Sequence, residues 1–85
     1  MEQFDFVVAN PVGIHARPAM LLAQEARRFQ SRIQVEYGGR KANGKNMASL
    51  LTLRADQGAK VSFLIEGGDE KEAAKHLNNF CIHNL

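Results

Sequence analysis

The chain has 85 residues, a formal net charge of +2 and a hydrophobic fraction of 45%. These values are ordinary for a globular protein, and the length predicts one domain over residues 1–85. The single cysteine, Cys81, excludes an internal disulfide framework and suits a reducing compartment, so we expect a cytoplasmic protein. The first residues lack the regions of a signal peptide, and no apolar run approaches the ~20 residues of a membrane span. The small net charge gives little support to nucleic-acid binding.

Alternating apolar and polar residues predict three strands, around residues 4–8, 33–37 and 61–65. The Gly38-Gly39 pair after the second of these indicates a hairpin that returns through a short strand over residues 40–43. Because the apolar residues alternate with period two, one face of the sheet is expected to meet solvent.

Apolar residues at helical spacing predict a helix over residues 16–29. Its buried face is expected to contain Ala19, Leu22, Ala23, Ala26 and Phe29. Asn46 is a good N-cap for a short helix over residues 47–53. Asp69 and Glu72 have the spacing of a capping box at the start of a last helix. The inward stripe of this helix is expected to contain Ala73, Leu77, Phe80 and Cys81.

The predicted elements follow the order β-α-β-β-α-β-α. The helices are amphipathic, so they cover only the apolar face of the sheet and leave its other face wet. The sequence therefore predicts an α+β fold, a two-layer sandwich with an antiparallel sheet.

His15 and Arg17 lie at the predicted start of the first long helix. Backbone N–H groups there have no helical partners, and together with the helix dipole they favour an anion. Arg17 adds a permanent positive charge and a fork of donors that suits phosphate. A free imidazole, with a pKa of about 6.5, is a nucleophile at neutral pH, so the arrangement suits transient attachment of a phosphoryl group. A histidine next to a helix start is more often a cap or a surface residue, and the residue types alone favour that interpretation.

Other polar candidates have simpler interpretations. His76 and His83 are seven residues apart in the last helix and have no third ligand at metal spacing, so we expect solvated histidines and no metal site. Cys81 lies in the apolar stripe and is expected to be a small buried hydrophobe. The basic cluster over residues 40–45 lacks interleaved aromatic side chains, which favours a solvated rim over a nucleic-acid site.

Apolar residues also fall outside the predicted buried faces. Met20 lies on the Arg17 side of the first helix, and Met47 and Ala48 precede the leucines that are expected to be buried. Exposed apolar side chains beside a reactive group indicate partner docking, but isolated surface hydrophobes are also normal. The two interpretations have equal support at this point.

The segment Gly13-Ile14-His15-Ala16-Arg17-Pro18 resembles the active-site signature of the histidine-containing phosphocarrier family, HPr, of the bacterial phosphotransferase system. The resemblance extends over the whole chain. It includes Lys45-Asn46-Met47 at the short helix, Gly58 before the last strand and Gly68-Asp69-Glu70 at the last helix. It implies an open-faced sandwich in which three helices lie on one face of a four-stranded antiparallel sheet.

The resemblance also implies a function. His15 would be phosphorylated on Nδ1 by phospho-enzyme I, which is itself charged from phosphoenolpyruvate, and would pass the group to a histidine of a sugar-specific IIA domain. Ala16 and Arg17 would bind the phosphoryl group, with no cofactor, and the working form is expected to be a monomer. The residues expected to dock both partners are Met20, Gln24, Arg27, Met47, Ala48 and Leu51.

Two departures from the family pattern leave details open. Many members carry a kinase-regulated serine where this chain has Asn46, which lacks a hydroxyl, so a serine-kinase or corepressor role is not expected. Ala48 and Leu51 stand where the family often places polar docking residues. General sugar uptake and a specialised branch, such as the nitrogen-related one, are therefore alternatives.

Two further classes of protein are alternatives to a relay without independent turnover. One is a regulatory binding protein that uses the same face, and the other is a domain of a larger fused protein. The intact His15-Arg17 pair favours a carrier over a purely regulatory protein. The start at Met1 and the end at Leu85 favour a stand-alone chain.

Overall fold

The structure, a computed structural model, describes all 85 residues and has the predicted order β-α-β-β-α-β-α. Its strands are β1 (Glu2–Val7), β2 (Arg32–Tyr37), β3 (Arg40–Asn43) and β4 (Lys60–Glu66). Its helices are α1 (Ala16–Ala26), α2 (Met47–Leu51) and α3 (Glu70–Asn84). None of these helices combines the length and hydropathy needed to cross a membrane.

The four strands form one antiparallel sheet in the order β1-β4-β2-β3. Phe63 of β4 lies at its centre, opposite Phe4 of β1 on one side and Val35 of β2 on the other. The rings of Phe4 and Phe63 stack with centroids 4.6 Å apart. Burial alternates along β4, where Val61, Phe63 and Ile65 are buried. The predicted open-faced sandwich is confirmed.

All three helices contribute to the core on the apolar face of the sheet. Their fully buried residues include Ala19, Leu22, Ala23 and Ala26 of α1, Leu50 of α2, and Ala73, Leu77 and Cys81 of α3. Burial raises the pKa of the Cys81 thiol to about 12, so this side chain stays neutral and packs as a hydrophobe, as predicted.

Helix α1 ends at Ala26, so the prediction that it reaches residue 29 is wrong. The N–H groups of Arg28 and Phe29 donate to carbonyls only three residues earlier, which tightens the chain into a turn. Phe29 still packs against the core, although it lies beyond the helix. Its apolar character, which suggested a longer helix, therefore reflects packing of the turn.

Helix α2 ends at Leu51, two residues before the predicted end at residue 53. The Thr52 hydroxyl donates to the Ser49 carbonyl at 2.6 Å, and the chain then passes through a left-handed residue, Arg54, with φ +53°. Leu53 is buried, so here too an apolar residue of the following turn extended the helical pattern.

Asp69 precedes α3, but its side chain does not cap that helix. Its carboxylate accepts hydrogen bonds from the Ser31 hydroxyl and from the N–H groups of Gln30 and Ser31, both at 2.9 Å. These bonds, that of the Ser31 hydroxyl first, lower the pKa of Asp69. The predicted capping box with Glu72 is therefore wrong, because open amides after α1 take the carboxylate instead.

Candidate functional site

The loop between β1 and α1 holds His15 in place from two sides. The Asn10 N–H donates to an oxygen of the Leu85 α-carboxylate at 2.7 Å, which joins the loop to the end of α3. Ile14 is buried, and its N–H donates to the Ala55 carbonyl at 2.9 Å. The backbone that leads into His15 is therefore positioned by two distant parts of the chain.

Gly13 makes this close approach possible. Its φ is +70°, a region that residues with side chains rarely adopt. A Cβ at this position would lie 2.5 Å from the Ala55 carbonyl oxygen and 2.8 Å from Asp56 Cα. Both neighbours are backbone atoms, so the loop accepts no larger residue without moving.

His15 is the N-cap residue of α1, with extended backbone angles, an exposed side chain and no capping hydrogen bond from its ring. The first helical bond runs from the Ala19 N–H to the His15 carbonyl at 3.0 Å. The N–H groups of Ala16 and Arg17 precede that bond, and Pro18 has no N–H. An exposed imidazole thus stands beside two open amide donors at the positive end of a helix dipole.

A surface cavity of about 240 Å³ lies beside His15. Its lining residues are Asn10, His15, Arg17, Pro18, Leu21, His83 and Asn84. All of its titratable groups are basic and no carboxylate side chain lines it, so the cavity suits an anion. The structure thus brings His15 and Arg17 together, as predicted.

Sequence reasoning did not place His83 at this site. It lies in the last turn of α3, and its Nδ1 is 2.9 Å from the Asn79 carbonyl oxygen. The helical pattern shows which face of α3 packs inward, but only the docking of its end on the loop before α1 brings His83 near His15.

His76 is not the solvated histidine that the sequence predicts. It is half-buried, its Nε2 lies 2.5 Å from Glu25 Oε1, and its ring packs 5.5 Å from that of Phe29. The bond to His76, followed by that to Arg28, lowers the pKa of Glu25. His76 therefore ties α3 to α1, away from the cavity, and no three potential metal ligands cluster anywhere in the structure.

The expected docking residues lie on α1, α2 and the turn that follows α1. We call these residues the docking face: Met20, Gln24, Arg27, Met47, Ala48 and Leu51. All are exposed except Leu51, which is half-buried, and the Met20 and Met47 side chains are 42% and 38% exposed. The Arg27 guanidinium donates to the Lys45 carbonyl at 3.0 Å, which fixes the end of α1 against the loop before α2.

Asn46 caps α2 as predicted. Its side-chain oxygen accepts a hydrogen bond from the Ser49 N–H at 3.0 Å. The Ser49 hydroxyl in turn accepts from the Asn43 N–H at 2.9 Å, which joins α2 to β3. The side chains of Asn46 and Ser49, at and near the start of α2, are therefore both engaged in hydrogen bonds with backbone N–H groups.

Known proteins similar to this chain share its fold over nearly their whole length. A family model described as the PTS HPr component phosphorylation site matches residues 2–82. An HPr of Thermoanaerobacter tengcongensis is 37% identical, with a TM-score of 0.93, over 99% of this chain and 94% of that one. A phosphocarrier HPr of Bacillus anthracis is 32% identical, with a TM-score of 0.87, over 94% and 95%.

A third solved structure is Crh, the catabolite repression protein of Bacillus subtilis, crystallised as a swapped, intertwined dimer. It is 35% identical, with a TM-score of 0.78, over 100% of this chain and 98% of that one. The family match covers almost every residue, including the segment that presents His15 and Arg17. The chain therefore belongs to the HPr family of phosphocarrier proteins of the phosphotransferase system.

Proposed function

We propose that this chain accepts a phosphoryl group on His15 from phospho-enzyme I and passes it to a histidine of a sugar-specific IIA domain. One observation carries the proposal: an exposed, uncapped His15 stands beside the open N–H groups of Ala16 and Arg17. The family to which the chain belongs supports the same assignment.

The chemistry follows from the groups at this helix start. A lone pair on Nδ1 of neutral His15 attacks the phosphorus, a new N–P bond forms, and the N–P bond of the donor histidine breaks. The three equatorial oxygens carry negative charge throughout. The amides of Ala16 and Arg17 and the Arg17 guanidinium stabilise that charge without reorganising, because the fold already holds them in place. The same contacts act in reverse when IIA takes the group.

The docking face supplies the contact area for both partners. Met20 lies in α1, the helix that begins at His15, and Met47 begins α2; both are exposed, and methionine adapts to more than one partner surface. The adjacent Arg27 adds a positive charge.

Met20→Glu, Met47→Glu and Leu51→Glu should each weaken partner binding while the fold is retained. Unchanged amide chemical shifts at all three positions on adding either partner would remove them from the interface.

Label transfer tests the proposed relay. The protein is incubated with enzyme I of an HPr-containing bacterium and ³²P-phosphoenolpyruvate, and a IIA domain is added afterwards. Label should appear on the wild-type chain and then move to IIA, whereas His15→Ala should stay unlabelled with an unchanged circular dichroism spectrum. Label that reaches His15→Ala to the wild-type extent would refute the assignment.

The similarity to Crh supports a second candidate, a regulator that binds another protein through the same face. The two candidates differ in turnover: a carrier passes its label to IIA, whereas a regulator does not.

We further propose that the carrier acts as a monomer in the cytoplasm, where its single buried cysteine stays reduced. Sedimentation at micromolar concentration tests the monomer against a dimer of the Crh kind.

A further inference from the structure

A second imidazole, that of His83, lines the cavity beside His15. Its side chain is exposed, and its Nδ1 lies 2.9 Å from the Asn79 carbonyl oxygen. A carbonyl oxygen only accepts hydrogen bonds, so Nδ1 of His83 carries the hydrogen. The other ring nitrogen, Nε2, holds a lone pair in the neutral ring and becomes a second donor when the ring is protonated.

The one acidic group near His83 is the α-carboxylate of Leu85, one oxygen of which accepts hydrogen bonds from the N–H groups of Ala9 and Asn10 at 2.6 and 2.7 Å. Within the cavity, the other titratable residues are His15 of the loop and Arg17 of α1, both basic. The side chains of α3 and the loop on the outer side of His83 are uncharged: Ala9, Asn10, Pro11, Ile82, Asn84 and Leu85. No carboxylate side chain from any of these elements faces His83. Carbonyl groups at the end of α3 favour a cation at this point.

We propose that His83 is a further residue of the phosphoryl site: its protonated ring donates a hydrogen bond from Nε2 to an oxygen of the phosphoryl group on His15. This inference rests on the proposed function of His15. The phosphoryl group stays bonded to His15 throughout, and His83 forms no covalent bond and keeps its proton. His83 therefore stabilises the phosphorylated carrier and takes no part in bond making or breaking.

The contact depends on pH because neutral imidazole lacks the second donor. A histidine that gains an anionic partner binds its proton more tightly, so the stabilisation is complete at low pH. It is lost as the pH rises and the ring becomes neutral. The contact with His83 therefore adds to the stability of the phosphorylated carrier in mildly acidic solution and adds nothing in alkaline solution. Arg17, which stays charged, contributes equally at both ends of this range.

Proton NMR of the histidine rings tests the contact directly. The ring signals are titrated in the free protein and in protein phosphorylated with enzyme I and phosphoenolpyruvate. The midpoint for His83 should move to higher pH by about 0.3 to 0.7 unit on phosphorylation, as for an exposed ion pair. His76 is an internal control, because it is held by Glu25 outside the cavity and its midpoint should stay in place. An unmoved His83 midpoint would overturn the proposal.

Two variants distinguish the effect of the charge on His83 from a structural role of its side chain. His83→Gln cannot be charged, whereas His83→Lys is charged at every pH used, from 5.5 to 8.5. At pH 5.5 the equilibrium between phosphoenolpyruvate and phosphorylated carrier should favour the wild type over His83→Gln by about two- to fivefold, and at pH 8.5 the two should agree. His83→Lys should keep the advantage at both pH values.

A wild-type pH profile in His83→Gln would contradict the role of His83 while leaving the relay intact, because His15 would still be labelled. Failure of the relay itself looks different, since none of the three proteins would then carry label on His15. A merely structural role for His83 would lower the melting temperature of His83→Gln without changing the pH profile.

Discussion

Two helices of this chain begin in opposite ways. At the start of α2, Asn46 accepts a hydrogen bond from the Ser49 N–H at 3.0 Å. At the start of α1, the ring of His15 makes no capping bond, and the amides of the first turn stay open. Every helix start has amides without helical partners, so the residue before the helix decides whether they are satisfied internally.

The difference separates a structural helix start from one available to a ligand. The capped start of α2 gains stability and gives up its donors. The uncapped start of α1 forgoes a cap, which is typically worth about 1 kcal/mol, and keeps its donors beside a nucleophile. Helix α3 is a third case, because the carboxylate of Asp69 leaves its own helix to bind Gln30 and Ser31.

The largest effect is expected from Arg17→Ala at the open helix start. It removes the charged donor that faces the phosphoryl oxygens, so transfer from enzyme I should slow on the order of 10²-fold. The free energy of unfolding should change by less than about 0.5 kcal/mol, because Arg17 is exposed. Rapid-quench measurement of label transfer checks the rate, with Arg32→Ala as the matched control, because Arg32 is exposed and lies outside both the cavity and the docking face. Wild-type transfer kinetics in Arg17→Ala would show that the open donors act without it.

Gly13→Ala tests whether the backbone before the open helix start must be held closely. The new Cβ meets two backbone atoms of the segment at Ala55 and Asp56, and the φ of +70° adds strain. We expect a loss of about 2 kcal/mol or more of unfolding free energy, measured by urea denaturation. Gly38→Ala is the control: its φ is also positive, at +59°, but no atom lies within 4 Å of a Cβ there. Equal losses in the two variants would show that the close approach to Ala55 has no energetic role.

Asn46→Ala removes the cap of α2 and should cost about 1 kcal/mol of unfolding free energy, while label transfer to His15 continues. Asn46→Ser should retain most of that stability, since serine caps nearly as well. A large loss of phosphoryl transfer in Asn46→Ala, at a temperature where this variant is folded, would contradict the claim that the start of α2 has only a structural role.

The same pair of proteins tests regulation. The Asn46 side chain has no hydroxyl, and Ser49 lies inside α2, where its hydroxyl accepts a hydrogen bond from the Asn43 N–H of β3. A serine kinase that acts on related carriers should therefore leave the wild type unmodified and modify Asn46→Ser. Intact-mass spectrometry after kinase treatment checks this, and stoichiometric phosphoserine in the wild type would contradict it.

The smallest effect concerns the third helix start. Hydrogen bonds from Ser31 and Gln30 lower the pKa of Asp69 in the folded protein. Their contribution to stability is therefore present above the unfolded pKa near 4 and is lost as the pH falls through the lower, folded value. The melting temperature of the wild type should fall more steeply below pH 4 than that of Asp69→Asn. Parallel curves between pH 2 and 5 would show that the carboxylate is not coupled to folding.

The sequence predicts β1, β2, β4, α1 and α3 from their apolar periods, whereas it predicts β3 from the Gly38-Gly39 turn and α2 from its Asn46 cap. It fails at the ends of α1 and α2, where Phe29 and Leu53 continue the pattern although they pack from turns. A buried side chain gives the same sequence signal in a helix and in the turn after it. The local pattern also cannot show that Asp69 finds better partners in Gln30 and Ser31 than in its own helix.

Some residues of the candidate site could likewise be predicted from the local sequence, and others could not. His15, Arg17 and the cap at Asn46 are local features of a helix start, so residue types and spacing predict them. The positions of His76 against Glu25 and of His83 beside His15 depend on how α3 packs against the rest of the molecule. The sequence predicts two solvated histidines, but the structure gives them different neighbours.

Localisation of the phosphoryl group tests the central claim most directly. The protein is phosphorylated with enzyme I and phosphoenolpyruvate, and its phosphohistidine is assigned by ³¹P NMR and by peptide mapping under alkaline conditions. The open start of α1 predicts one phosphoryl group per chain, on His15, and none in His15→Ala; membership of the HPr family implies that the group is on Nδ1. A phosphoryl group found on His76 or His83, or retained in His15→Ala, would contradict the account.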